Sequence, residues 1–299
     1  MLFNTSQPEK TIQTDTSLEP IPLPWGRTYL MCPPDYYEVL YEINPWMQQG
    51  VQPDLDLANE QWHKLVLNLE QAGATVKTIP PVKLLPDMVF VANAGLVVAE
   101  SQDLIVSRFR YPERQPESKF TADWFRGQGW NVAELPVASD ICFEGGGDAF
   151  PYRGRLLAGY GGRSTQQAHA ALAHILGIEV LSVKLVDPRF YHLDISFCPL
   201  DSRHAIVNSA AFDYLSCKVI EQLVPEPLML TLDEALTFCA NSVVVGNVVV
   251  MPHCPPRVGR ILESWGFEVC VSPVSEFLKA GGAVRCLTLP LDMSIRARA

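Results

Sequence analysis

Four times along this chain an amphipathic helix runs into a glycine, and a short β-branched strand begins two or three residues later. The junctions are Gly73-Ala-Thr-Val76, Gly129-Trp-Asn-Val132, Gly177-Ile-Glu-Val180 and Gly266-Phe-Glu-Val269. Three of the strands soon meet Pro80, Pro136 or Pro273, and a weaker fifth copy fits Phe212–Leu232, where Pro225 replaces the glycine turn. The helices follow from period: Ala58, Trp62, Leu65, Val66 and Leu69 share one face, as do Ala168, Leu172, Ile175 and Leu176, and Val258, Ile261, Leu262 and Trp265. Each glycine falls where a helix end favours a left-handed residue. Apolar strand pairs lie between the helices, Gly95–Ala99 with Leu104–Ser107 and Asn241–Val245 with Val248–Met251. The unit is ββαβ, returning roughly every 40–60 residues, a period of radial or solenoid repetition. Five copies closed on themselves would bury all edge strands without a separate cap. An ordinary doubly wound α/β sheet alternates strands and helices too, and on pattern alone both architectures stay open.

A length of 299 residues suggests about two domains on the usual prior. No linker-like stretch interrupts the chain after Tyr29, however, so residues 23–299 read as one domain behind a polar, proline-rich, flexible arm at 1–22. The 23 basic against 33 acidic residues give a net charge of −10, which argues against nucleic acid and against an anionic membrane surface. No run reaches the roughly 20 apolar residues of a membrane span. Met1–Thr16 shows no apolar signal core, so a cytoplasmic protein is expected. The eight cysteines are scattered without a CxxC pair, which disfavours a disulfide scaffold or a clustered zinc site and suits thiols in a reducing compartment.

Polar residues set into apolar surroundings mark the chemistry: Asn93, Glu144, Asp148, His192, Asp194 and Cys286. The run Gly145-Gly-Gly147 lacks the Lys and Ser or Thr of a phosphate loop. Its flanking acids Glu144 and Asp148 would repel phosphate and suit a cation, or else belong to a tight turn with solvated acids. His192 and Asp194 alternate as on a strand and would face one side, where the carboxylate can orient and charge the imidazole. Cys286, between a glycine pair and an apolar run, reads on its own as a buried inert thiol. Serine-hydrolase elbow, zinc-protease and dinucleotide fingerprints are all missing. One thiol, one histidine, several acids and an amide suit covalent thiol catalysis on a small cation.

Taken in order, Asn93-Ala-Gly95, Glu144 with Asp148, His192-Leu-Asp194 and Gly281-Gly…Cys286 resemble the guanidino-group-modifying enzymes of the pentein fold, over about Met31 to Leu291. Within that superfamily the stretches Met31–Asp35, Ile43–Met47, Phe90–Gly95 and Tyr191–Asp194 are most similar to the cyanobacterial-type arginine dihydrolase domain. The resemblance implies a five-bladed α/β propeller and a reaction needing neither metal nor organic cofactor. It implies that Cys286 attacks the guanidinium carbon to form a thiouronium intermediate. His192 would move protons, Glu144 and Asp194 would clamp the guanidinium with Asp148 in support, and Arg108 and Arg163 would hold the substrate carboxylate. Asn93 stands where deiminases and dimethylaminohydrolases carry Asp, and with it the resemblance implies ornithine, two ammonia and carbon dioxide rather than citrulline. No fused ornithine-processing activity is expected. Deimination, dimethylarginine hydrolysis and amidino transfer remain the alternatives within the superfamily. A non-catalytic arginine-binding module is the alternative outside it, and intact Cys286 and His192 speak against that. The expected partner is arginine or a related guanidino compound, with a homo-oligomer left open.

Overall fold

The computed structural model describes residues 19–136 and 141–295. Its first long helix, Leu55–Gln71, starts where the Asp54 side chain accepts from the amides of Asp56 and Leu57, and it buries Ala58, Trp62, Leu65 and Leu69. The same helix–glycine–strand turn recurs as the repeats required: Gly73, Gly129, Gly177 and Gly266 have φ of 102°, 82°, 66° and 85°. A side chain would be strained there, and each turn sends the chain back along a neighbouring strand. The helix Gln166–Leu176 departs from the predicted face. His169 takes an inner position, bonded to Ser182 Oγ at 2.8 Å, and the buried stripe Ala168, His169, Leu172 and Leu176 leaves Ile175 39% exposed.

Five three-stranded sheets result. In chain order the strands are β1 (Thr28–Met31), β2 (Thr75–Thr78), β3 (Gly95–Val98), β4 (Asp103–Val106), β5 (Asn131–Ala133), β6 (Ala149–Tyr152), β7 (Arg155–Tyr160) and β8 (Val180–Lys184). They continue as β9 (Phe197–Pro199), β10 (His204–Val207), β11 (Glu226–Met229), β12 (Val243–Val245), β13 (Val248–Met251), β14 (Glu268–Val271) and β15 (Leu289–Pro290). In every sheet the middle strand pairs antiparallel with an inner strand and, after a helical crossover, parallel with an outer one. The fold is the five-bladed α/β propeller. One blade is closed by both ends of the described chain: β15 pairs with β1, Tyr29 opposite Pro290 and Leu30 opposite Leu289.

The inner strands β3, β6, β9, β12 and β15 are buried throughout, because both faces of each meet protein. The outer strands correct the expectation that closure buries every edge. β2, β5 and β14 carry exposed residues at the rim, since the ring closes along its axis and not around its circumference. Of the arm expected over 1–22, only residues 19–22 are described. Residues 1–18 lie outside the described region, but Pro22 bridges Asp201, the Ile21 amide donates to Ser202 Oγ at 2.8 Å, and Trp25 is buried. No helix among the described residues is long and apolar enough to cross a membrane.

Candidate active site

Each inner strand is entered from a buried polar turn, and the five turns meet inside the ring. The turn Val91–Ala94 brings Asn93 to the head of β3, and Gly145–Asp148 follows Glu144 into β6. Leu193–Ile195 carries Asp194 toward β9, Asn241 precedes β12, and Cys286 precedes β15. Asn93, Glu144, Asp148, His192, Asp194, Asn241 and Cys286 are all 2% exposed or less. The bland reading of a solvated acidic turn therefore fails, and the buried thiol is not alone, because Asp194 and Asn241 lie beside it. The glycine run exists for close approach: a Cβ on Gly145 would lie 2.7 Å from the Gly95 backbone, and one on Gly147 would overlap the Asn93 amide nitrogen.

His192 and Asp194 are not alternate residues of one strand. His192 is extended, but Asp194 sits in a 3-10 turn closed by the Ser196 amide on Leu193 O at 2.9 Å. The two side chains serve different partners. His192 Nε2 lies 2.7 Å from Glu144 Oε2, so Glu144 orients the imidazole. Asp194 lies beside the thiol, its carboxylate oxygens 3.8 and 3.6 Å from Cys286 Sγ. Asp148 binds only structure here, accepting from the Leu193 amide at 3.0 Å and from the Ser164 hydroxyl at 2.6 Å.

Asn241 is a site residue that sequence reasoning passed over. Its Nδ2 donates to Cys286 Sγ at 3.1 Å and to Asp194 O at 3.0 Å, while its Oδ1 accepts from the amides of Arg285 and Cys286 at 3.0 and 3.2 Å. The available signal was the repeat itself, whose last copy had no polar residue assigned ahead of its strand. Asn93 is also oriented differently from expectation. Its Oδ1 accepts from Arg114 at 2.9 Å, so the acceptor is already taken, and its NH2 group faces His192 Nδ1 at 3.5 Å.

The two arginines part company. Arg163 is no surface charge: it is 2% exposed, donates to Glu144 Oε2 at 3.0 Å and to Ile43 O at 3.1 Å, and lies 4.8 and 4.5 Å from the ring centres of Tyr111 and Tyr191. Arg108 stays outside the cluster. Its backbone bridges Phe143 next to Glu144, but its side chain turns away to Pro136 O at 3.3 Å, and it lines a cavity of about 550 Å³ with Ser118, Lys119 and Arg126. It is the Arg110 amide that donates to Glu144 Oε1, at 3.2 Å. Over the site, Asn44 Nδ2 donates to Ala280 O at 3.1 Å and Trp46 Nε1 to Arg189 O at 2.8 Å, fastening the segment Ile43–Met47 down.

Burial sets the acid–base state. It pushes Asp194 up to about 7 against the opposing pull of Arg285, and Asp148 up to about 6. Burial also raises the Glu144 carboxyl, but Arg163, His192 and Arg114 outweigh it and hold Glu144 well below its usual range. The Cys286 thiol is driven well above its ordinary value by burial and then by the Asp194 charge. The resting site thus holds a protonated thiol beside a carboxyl group that titrates near neutral pH. A planar cation placed between them would lower both values.

A family model described as N,N dimethylarginine dimethylhydrolase, eukaryotic, matches residues 44–293. A bifunctional arginine dihydrolase/ornithine cyclodeaminase of Nostoc sp., AgrE, is 44% identical over 90% of this chain and 38% of its own length. An N(G),N(G)-dimethylarginine dimethylaminohydrolase of Mycobacterium tuberculosis is 38% identical over 90% of this chain and 87% of its own. Among solved structures, the N-terminal domain of ArgZ, an arginine dihydrolase from cyanobacteria held with its substrate in a cysteine-to-serine variant, superposes with a TM-score of 0.85 at 42% identity. It covers 90% of this chain and 99% of that one. The chain spans under two-fifths of the bifunctional relatives, 38% of AgrE and 37% of the Synechocystis ArgZ.

Proposed function

Since this chain belongs to the N,N-dimethylarginine dimethylhydrolase family, we propose that its buried cluster hydrolyses the guanidinium group of free L-arginine to ornithine, two ammonia and carbon dioxide. The carrying observation is the side chain of Asn93 beside His192, in one buried cluster with Cys286 and Asp194. The arginine dihydrolase relatives AgrE and ArgZ, each 44% identical, support the same substrate.

In this reading the substrate guanidinium docks on Asp194, and its charge draws the proton from Cys286. The thiolate adds to the guanidinium carbon, and Asn241 steadies the sulfur. The thiol proton passes through His192 to one terminal nitrogen, which leaves as ammonia, and a thiouronium remains on Cys286. A first water, deprotonated by His192, adds to that carbon, and the second terminal nitrogen leaves as ammonia to give a thiocarbamate. A second water then breaks the carbon–sulfur bond. The carbamate released falls to ornithine and carbon dioxide, so two waters are consumed per arginine. Arg163 already places a guanidinium on Glu144 between two tyrosine rings. It serves as an internal stand-in that substrate displaces, after which its fork is free for the substrate carboxylate.

The test is a nitrogen balance on arginine labelled in its guanidino group. Ornithine with two labelled ammonia per turnover is the expected result. Stoichiometric citrulline with one ammonia would leave a deiminase on the same scaffold. Parallel assays with dimethylarginine address the activity named for the Mycobacterium tuberculosis relative.

A further inference from the structure

We propose that Arg114 is a positioning residue that decides which ring nitrogen of His192 carries the proton, acting through the Asn93 amide. The inference rests on the arginine-hydrolase reading of the same site. Arg114 is 3% exposed in the blade that carries Asn93. Its Nε and one amino group grip both Glu117 oxygens at 2.9 and 2.8 Å, and that amino group also reaches Asp87 O at 3.1 Å. Its other amino group donates to Asn93 Oδ1 at 2.9 Å, and the guanidinium lies 4.5 Å from the centre of the Phe109 ring. Held on these sides, it has no freedom to follow a rotating amide.

A guanidinium has donors only, so the Asn93 atom that meets it must be the oxygen. The NH2 group is thereby turned to His192 Nδ1, 3.5 Å away, and is pressed against Gly147, where any side chain would collide with it. An amide NH2 only donates, so Nδ1 must offer its lone pair. Whenever the ring is neutral its single proton therefore sits on Nε2 and is donated to the Glu144 carboxylate at 2.7 Å. Tyr191 also lies against the ring, an aromatic face 4.9 Å away whose hydroxyl is spent on Gly281 O, and the Asp148 carboxyl, which feels the ring electrostatically, is bonded to Ser164 and the Leu193 amide. Along Glu117–Arg114–Asn93–His192–Glu144 every proton is assigned.

Nδ1 is therefore the basic nitrogen, which can exchange its long 3.5 Å contact with Asn93 for a proton from water, and the reaction proposed above needs water activated twice. A carboxylate at position 93 could also pair with Arg114, but its second oxygen would require an Nδ1–H while Glu144 requires the Nε2–H, so the ring would be held doubly protonated with no free base. Arg114, which never touches substrate in this scheme, thus selects the outcome of the reaction through the tautomer.

Nitrogen NMR on full-length protein labelled at histidine reads the tautomer directly, and the His192→Asn spectrum identifies the signal. Wild type should show the proton on Nε2. Arg114→Lys keeps a cation between Glu117 and Asp87 but loses the fork, so it should show mixed tautomers and a citrulline share raised about fivefold, the scale one hydrogen bond controls. Asn93→Asp, should Arg114→Lys fail to fold, must show a ring protonated on both nitrogens. A wild-type ring protonated on Nδ1 overturns the proposal, as does an Arg114→Lys protein with unchanged tautomer and product ratio. A wild type that makes citrulline alone sinks the dihydrolase reading, whereas the tautomer of the ligand-free protein decides this proposal by itself.

Discussion

Asn241 holds Cys286 at both ends, donating to its sulfur at 3.1 Å and accepting from its backbone amide at 3.2 Å. The donor stabilises a thiolate, and the acceptor sets the angle at which the side chain leaves the backbone. Asn241→Ala should lower turnover roughly tenfold to a hundredfold, the worth of a hydrogen bond to a charged group. Asn241→Asp should do worse, because a carboxylate beside the sulfur opposes its ionisation. Alkylation rates of Cys286 across pH would show both effects. Equal rates in Asn241→Ala and wild type would remove the role.

Cys286→Ser should abolish turnover with an unchanged melting temperature, since a hydroxyl is a far poorer nucleophile near neutral pH. Cys217 and Cys270 lie partly exposed away from the ring centre, and their serine variants should retain most activity. An active Cys286→Ser protein would refute the assignment.

Asp194 predicts a pH dependence with opposite signs for activity and stability. Its folded value, pushed up to about 7 by burial, means that the docking carboxylate is lost as pH falls through that value, so kcat/KM should fall on the acid side. For stability the folded state holds the proton more tightly than the unfolded chain. This carboxyl's contribution is full below its unfolded value and is lost as pH rises toward 7, at about 1.4 kcal/mol per pH unit. Asp194→Asn should therefore be nearly inactive yet melt higher than wild type at pH 8, with the gain shrinking at pH 5. A gain that does not change with pH would contradict the burial argument.

Gly147→Ala forces a methyl group into the Asn93 amide and should cost about 1–3 kcal/mol of stability, with a loss of turnover out of proportion to it. Gly50, with open space around it, supplies the control, and Gly50→Ala should stay within about 0.5 kcal/mol of wild type. Chemical denaturation and steady-state rates on both variants decide the matter.

Arg163, not Arg108, should govern recognition of the substrate carboxylate. Agmatine, which lacks that group, should be much the poorer substrate of wild type. Arg163→Lys should narrow the difference while keeping a cation on Glu144. If only Arg108→Ala narrowed it, the placement of Arg108 outside the cluster would not describe the substrate-bound enzyme.

The blades were legible because their signals are local: a helical period, a glycine at each helix end and a β-branched run after it. The site was legible only where a polar residue broke an apolar run, as at Asn93, Glu144 and His192. Asn241 stands ahead of its strand and looks like any strand boundary until the ring brings it to Cys286. Arg114, inside the polar stretch Tyr111–Pro116, reads as solvated, since nothing local announces that Glu117 and Asp87 will bury it. The two-residue spacing of His192 and Asp194 pointed to a strand, because the 3-10 turn between them is made by backbone bonds that spacing does not reveal.

The pairing of β15 with β1 ties the placement of the Cys286 thiol to the closing of the ring. Cys286 lies three residues before β15, and its blade needs a strand made among the first residues of the described fold and another made among the last. Without that pairing the blade lacks its inner strand, and the segment that sets Cys286 beside Asn241 and Asp194 has no strand to hold it. In the proposed reading, the capacity to open a guanidinium group belongs to the completed ring and not to any one blade.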